Sequence, residues 1–264
     1  MLHTTHDQLA DEIVTQIGLL TSTIKGADLT VPVPSCPGWN VGQLLRHLGG
    51  AHQWVDEIVR TRADERPDDE FFRDLSAYAN EDPDVVGPWL TDGAARLAET
   101  LKAAGPGAQV WNYPFLGGDA SFYSRRMAHE TVMHRADATL ALGAEYILDT
   151  EVALDSVDEW MHLGSLPAML EFQPEKRELL GHGHTLHFHA TDTAPELTAE
   201  WLVDLTGDNL AWRRAHEKAT VAVRAPLTDL LLIIYRRKTV EQADAEVLGD
   251  KAVFDNWLEM VSFG

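Results

Sequence analysis

The chain has 264 residues, 45% of them hydrophobic, which is enough for more than one packed core and too apolar for a disordered chain. Its 21 basic residues stand against 42 acidic ones, and the net charge of −21 argues against a nucleic-acid or anionic-membrane partner. No apolar run approaches the roughly 20 residues a membrane span needs. The first residues show neither the basic nor the apolar region of a secretory signal, and the lone Cys36 excludes an internal disulfide framework and fits a reducing, cytoplasmic setting.

From about Thr5 to Lys25 the residues Leu9, Ile13, Ile17, Leu20 and Ile24 recur at helical spacing. Pro32, Pro34 and Pro37 break the chain. Asn40 followed by Gln43 then reads as an N-cap with a capping box. A second helix is predicted from about Val41 to Arg62, with Val41, Leu44, Leu45, Leu48, Val55, Ile58 and Val59 on its apolar face. The pair Gly49-Gly50 argues for an interruption. His47 and His52 ride on this helix about 140° apart, so both are not expected to face one site, and position alone does not choose between them.

Residues 64–82 read as irregular, with Phe71 and Phe72 available to dock the segment on a core. A third helix is expected from Val85 to about Ala103, with Pro88 tolerated as a first-turn residue. An aromatic, glycine-rich loop carrying Trp111, Tyr113 and Phe115 leads into a fourth helix over about Phe122–Leu142, with an apolar stripe through Met127, Ala138, Ala141 and Leu142. Glu130 and His134 lie close to that stripe. Their i, i+4 spacing stacks both side chains on one helical face, and a carboxylate buried there needs a cation, strong hydrogen bonds or a metal. Such a pair is a two-ligand arm of a zinc- or iron-type site whose third ligand must come from elsewhere. Four long helices describe a bundle with inward-facing ligands.

A further helix, from Glu151 to about Leu170, is assigned to the same domain, residues 1–172. Residues 173–264 read as a small α+β domain, with short strands at Thr185–Ala190, Glu200–Val203, Thr220–Val223 and Ala245–Leu248 and helices at Leu227–Arg237 and Lys251–Val261. The fold class is therefore mainly α with an α+β second domain. His187 and His189 share one face of a strand, but no carboxylate or thiol accompanies them at ligand spacing, which weighs against a metal site there. No phosphate loop, dinucleotide fingerprint, paired-cysteine motif or nucleophile elbow is present.

Several stretches together resemble the mycothiol-dependent maleylpyruvate isomerase family. They are Cys36-Pro37-Gly38-Trp39-Asn40-Val41, Leu45-Arg46-His47-Leu48, Arg125 to Glu130, His134-Arg135-Ala136-Asp137-Ala138, Leu186 to Asp192, Val223-Arg224-Ala225-Pro226 and Asp229 to Leu232. The family is similar to DinB-like metal-binding four-helix bundles with an added C-terminal α+β domain. The resemblance implies a divalent metal, usually zinc, held by His47, Glu130 and His134. It implies mycothiol as cosubstrate, and a C-terminal arginine that binds or activates substrate, here Arg237 with Arg236 beside it. The chain departs from the family pattern at Ala136, where Trp is frequent, and at Arg236, where Gly commonly precedes the arginine. It lacks the iron motif of related ergothioneine-pathway enzymes.

Two histidines and one carboxylate leave open coordination positions, which suits catalysis. The expected reaction is attack of a metal-activated low-molecular-weight thiolate on an electrophilic small molecule, giving either thiol-assisted cis–trans isomerisation or S-transfer. Arg237 would pair with a substrate carboxylate or a developing enolate. Asp137 and Arg135 stand where they can orient His134. Cys36 is read as a small residue in a tight turn before a mixed-disulfide partner. Rival readings are a metal-dependent hydrolase, with His129 or His52 as base, and a non-enzymatic small-ligand binding protein.

Overall fold

The computed structural model describes residues 4–113, 116 and 118–261; Phe115 lies outside them. The chain divides into two compact units, Met1–Tyr146 and Ile147–Gly264. The first holds four long helices: α1 (His6–Ile24), α2 (Val41–Thr61), α3 (Pro83–Ala104) and α4 (Ala120–Ala141). Reciprocal capping boxes open α1 at Thr5/Gln8 and α2 at Asn40/Gln43. The apolar faces of α1 and α2 are buried at all the positions the periodicity marks. Each fully buried Leu or Ile there stabilises the fold by roughly 2 kcal/mol relative to exposure.

Helix α2 runs unbroken through Gly49-Gly50. The two glycines are there for close approach. A methyl at Gly49 would collide with the Trp89 ring of α3, and one at Gly50 with Cβ of Phe72. Helix α3 begins at Pro83, so Pro88 falls inside the helix rather than in its first turn. Pro88 is exposed, and it removes one hydrogen bond from the helical ladder there. Helix α4 has no single apolar stripe. Met127 and Ala138 are buried, Ala141 and Leu142 only partly so, and residues on nearly every side of the helix are enclosed.

The second unit begins with α5 (Thr150–Ser165) and the short α6 (Met169–Phe172). It continues as β1 (Thr185–Ala190), β2 (Glu200–Asp204), β3 (Ala211–Arg214), β4 (Val221–Ala225), α7 (Leu227–Ile234), β5 (Glu246–Gly249) and α8 (Lys251–Met260). The boundary expected at 172/173 therefore falls inside this unit. Asp158 of α5 explains the allegiance. It accepts from Trp201 Nε1 on β2 at 2.8 Å and takes Arg214 of β3 in a two-pronged pair at 3.0 and 2.8 Å.

The sheet order is β3-β2-β1-β4-β5, with β1 and β4 parallel and the other pairs antiparallel. Strand β3, not anticipated from sequence, is a four-residue edge strand. Leu186, Phe188 and Ala190 point to one face, where Phe188 packs 5.1 Å from the Trp257 ring of α8. His187 and His189 point to the other.

Helix α7 stops at Ile234, earlier than its sequence suggests. The amide of Arg237 donates to Leu232 O at 2.7 Å and that of Arg236 to Ile233 O at 2.8 Å, the pairing of a Schellman cap. Arg236 occupies the left-handed position of that cap, at φ +60°. This is the place where the family pattern has glycine, and the departure noted in the sequence is thus a backbone one. Replacing Arg236 by Gly is expected to raise stability by about 0.5–1 kcal/mol, the left-handed cost of an L-residue less the greater unfolded freedom of glycine. Urea unfolding of Arg236→Gly checks this, and a loss of stability would contradict it.

Candidate metal centre

Helices α2 and α4 bring His47 and His134 together, with ring centroids 5.4 Å apart and edge-to-face. Each ring has one nitrogen already committed. His47 Nδ1 lies 2.9 Å from Phe72 O; a carbonyl only accepts, so Nδ1 carries the proton and Nε2 presents a lone pair. His134 Nδ1 lies 3.0 Å from Asp137 Oδ2, leaving its Nε2 directed at Glu130 Oε2, 3.4 Å away. Orientation of a ligand histidine through a carbonyl or carboxylate on the other nitrogen is the usual outer arrangement of an imidazole metal site.

Asp137 is 1% exposed. A buried carboxylate must be satisfied, and besides His134 it accepts from Ser35 Oγ at 2.6 Å and Cys36 Sγ at 3.7 Å. The Pro-rich turn before α2 thus reaches across to α4, and Cys36 serves the carboxylate. The described contacts of Arg135 run elsewhere, to Gln16 Oε1 at 2.5 Å and over the Tyr146 ring at 4.2 Å. Burial, then the neighbouring His134 charge, pushes His47 below its ordinary value. His134 goes the other way: burial lowers it, but the Asp137 and Cys36 hydrogen bonds and the charges of Asp137 and Glu130 outweigh that and raise it.

Glu130 is the most open of the three, with its side chain 37% exposed, and it pairs with Arg126 Nε at 3.2 Å. Glu130 is thus not the buried carboxylate its place on the helix suggested, and Arg126 is a cation beside it. Among the described residues, Cys36, His134 and Asp137 also bring ligand atoms within 4.8 Å of one another. The donor set of His47, His134 and Glu130 fits a divalent cation in its chemistry: two imidazoles whose Nδ1 is held, leaving Nε2 for a ligand, and a carboxylate beside one of them. Trp39 stacks 4.8 Å from the His47 ring, and Trp111 packs between Trp54 at 5.7 Å and Tyr113 at 5.2 Å.

His52, the other histidine of α2, has a different environment. It is fully buried, with Nε2 2.9 Å from Thr131 Oγ1. The Thr131 hydroxyl donates to Met127 O at 2.6 Å, so Nε2 must be the donor and the ring is the neutral Nε2–H tautomer. His129 is also buried, at 1% exposure. Arg237 belongs to the second unit, where its Nη1 donates to Tyr235 O at 2.7 Å; Arg236 is exposed.

A helical bundle that brings two oriented histidines and a carboxylate together, followed by a unit with a mixed sheet, defines a two-unit protein of bundle plus α+β architecture. Residues 10–139 match the mycothiol maleylpyruvate isomerase N-terminal domain and residues 151–256 the C-terminal domain of the same family. The chain belongs to the mycothiol-dependent maleylpyruvate isomerase family, a family of enzymes. Two solved structures are similar over 89% of this chain and 89% of theirs, each with a TM-score of 0.60. One is mycothiol-dependent maleylpyruvate isomerase, at 16% identity, and the other a histidine-to-alanine mutant of that enzyme, at 15%. At such identity they speak for the fold alone. No curated protein matches the sequence. No described helix is long and apolar enough to cross a membrane.

Burial drives the His52 pKa down from 6.5 to about 3. Between those values the unfolded chain binds one more proton through this group than the folded one, so stability falls as pH falls. Urea unfolding of the wild type and His52→Gln at pH 7 and 5.5 is expected to differ in pH dependence, the wild type losing about 1 kcal/mol more. Identical losses would contradict a buried neutral His52. Separately, Asp137→Asn is expected to weaken zinc binding about 10- to 100-fold while leaving the helical content unchanged. Competition against a chromogenic chelator measures this, and unchanged affinity would remove Asp137 from the site.

Proposed function

We propose that this chain catalyses thiol-assisted cis–trans isomerisation of a small, electrophilic unsaturated acid, with mycothiol as cosubstrate and a divalent metal, zinc by preference, held by His47, Glu130 and His134. One observation carries the reading. In a chain both of whose halves match this family, two histidines from different helices face each other with each Nδ1 spent on a carbonyl or carboxylate. A cation held there would supply acidification of a thiol, because coordination stabilises thiolate over thiol.

The residues of the chain provide the rest. Phe72 O and Asp137 fix the two imidazole planes, so that no rotation is needed to present Nε2. Cys36 is turned to Asp137 and stays out of the covalent chemistry. In the reaction, the thiol first loses its proton to solvent, the proton it regains on leaving, and the thiolate sulfur bonds to one alkene carbon while the π electrons move onto the conjugated carbonyl. The former double bond then turns, the electrons return, and the thiol leaves unchanged. Arg237 and Arg236 are proposed to help bind the cosubstrate and substrate, with the Arg237 guanidinium suited to a carboxylate by its paired donors.

The test has two steps. Zinc content near one per chain attributable to this site is expected in the wild type, and its loss in His47→Ala and in Glu130→Ala/His134→Ala. Turnover of maleylpyruvate by the loaded enzyme is then expected only with added mycothiol, with the thiol recovered at the end. Stoichiometric loss of thiol would replace isomerisation by S-transfer, and turnover without thiol would favour the hydrolase reading. Absence of the metal in loaded wild type would sink the mechanism.

A further inference from the structure

The open face of the second unit's sheet carries a second constellation. His187 and His189 alternate on β1, and the antiparallel register sets Glu200 of β2 directly opposite His189. His216 follows β3, whose next residue, Ala215, donates its amide to Glu200 O at 3.2 Å. Three strands in sequence thus deliver four side chains to one point. His187 Nε2, His189 Nδ1 and His216 Nδ1 lie 2.9, 2.8 and 2.6 Å from a single atom, Glu200 Oε2. The three rings stand at the corners of a nearly equilateral triangle, with centroids 6.0, 5.7 and 6.0 Å apart. One ligand atom from each of the four residues lies within 4.8 Å of the others.

Hydrogen bonding alone does not account for this convergence. A carboxylate oxygen has two lone pairs, and three nitrogens meet at Oε2. The one left over is the best buried: His187 is 7% exposed, and its Nε2, though close to Oε2, has no aligned hydrogen-bond partner. Burial raises the Glu200 carboxyl, but hydrogen bonds from His216 and His189 outweigh that and hold it below the usual range, so it is anionic at neutral pH. An anionic oxygen with three imidazole nitrogens around it is a nitrogen-rich donor set. Calcium and magnesium, which take oxygen ligands, are poorly served by it; zinc, with its tetrahedral preference and affinity for imidazole, is well served. Bonds of about 2.0–2.2 Å to a tetrahedral ion place ligand atoms about 3.4 Å apart, so the nitrogens need to move outward from Glu200 by about half an ångström or more. The exposed His216 is free to make the largest movement, its side chain being 78% exposed.

We propose that His187, His189, Glu200 and His216 form a zinc-binding site in the second unit, separate from the His47/Glu130/His134 set. With four protein ligands the site is closed, the hallmark of a structural rather than a catalytic centre. Its effect is mechanical: it fastens residues 215–219, which lie outside any helix or strand, to β1 and β2.

The experiment uses the full chain, stripped of metal and titrated with zinc chloride under calorimetry, with elemental analysis after dialysis. The His216→Ala variant is the main comparison, because a side chain so exposed is removed without disturbing the core. Glu200→Gln serves as a second, and His47→Ala leaves all four residues in place. The wild type is expected to hold one equivalent more than His216→Ala, or to bind that equivalent at least tenfold more tightly, and His47→Ala is expected to keep it. Zinc is expected to slow hydrogen exchange across 215–219 in the wild type and not in His216→Ala. Equal stoichiometry and affinity in wild type, His216→Ala and Glu200→Gln would overturn the proposal, as would exchange across 215–219 that zinc leaves unchanged.

Discussion

The first unit turns on one buried anion. Asp137 sits on α4 with almost no exposure, and a carboxylate in that position is tolerable only if its lone pairs are answered. Two answers, Ser35 and Cys36, come from a turn about 100 residues earlier in the chain, and the third comes from His134 one helical turn away. The consequences run outward. The turn is held where Trp39 can lie against His47, and Asn40 can cap α2. His134 is held in one orientation, with Nε2 facing Glu130. A single acid therefore fixes both the entry to α2 and the presentation of His134 on α4.

The other half of the pair depends on space rather than charge. Phe72 supplies the carbonyl that orients His47, and it reaches α2 only because Gly50 offers no side chain. Glycines in a helix interior cost about 1 kcal/mol each relative to alanine. Here that cost accompanies a close contact that an alanine would prevent. The same helix shows how local environment divides identical residues. His47 donates its Nδ1–H to a carbonyl and keeps a lone pair on Nε2, whereas His52 donates its Nε2–H to Thr131 and is enclosed as a neutral ring.

This division explains what the sequence could and could not disclose. The long helices were legible because α1, α2 and α3 repeat apolar residues at a period close to 3.6, and α2 also begins at a recognisable capping box. Helix α4 was less so: it is enclosed on most sides, and its burial leaves no stripe to read. Spacing was sufficient for Glu130 and His134, which belong to one helix. It could not choose His47 over His52, because the deciding partners, Phe72 and Thr131, are 25 and 79 residues away; the family resemblance made that choice. The allegiance of α5 was hidden for the same reason, since Asp158 finds Trp201 and Arg214 only in the folded unit. Strand β3 was missed because four residues at an edge, alternating between exposed and half-buried, carry little apolar pattern.

The two histidine clusters make the same contrast within one chain. In the first, each ring has a directed outer partner, so orientation is fixed before any cation arrives, and the carboxylate is exposed enough to remain adjustable. In the second, the rings crowd a common carboxylate, and that carboxylate is invisible to a search for ligand spacing because it lies on the neighbouring strand. Strand register, which no local pattern reports, turns His187 and His189 from two residues on a strand into half of a four-donor set. Rigid presentation with a position left open suits reaction, and convergence of four donors with none left open suits fastening.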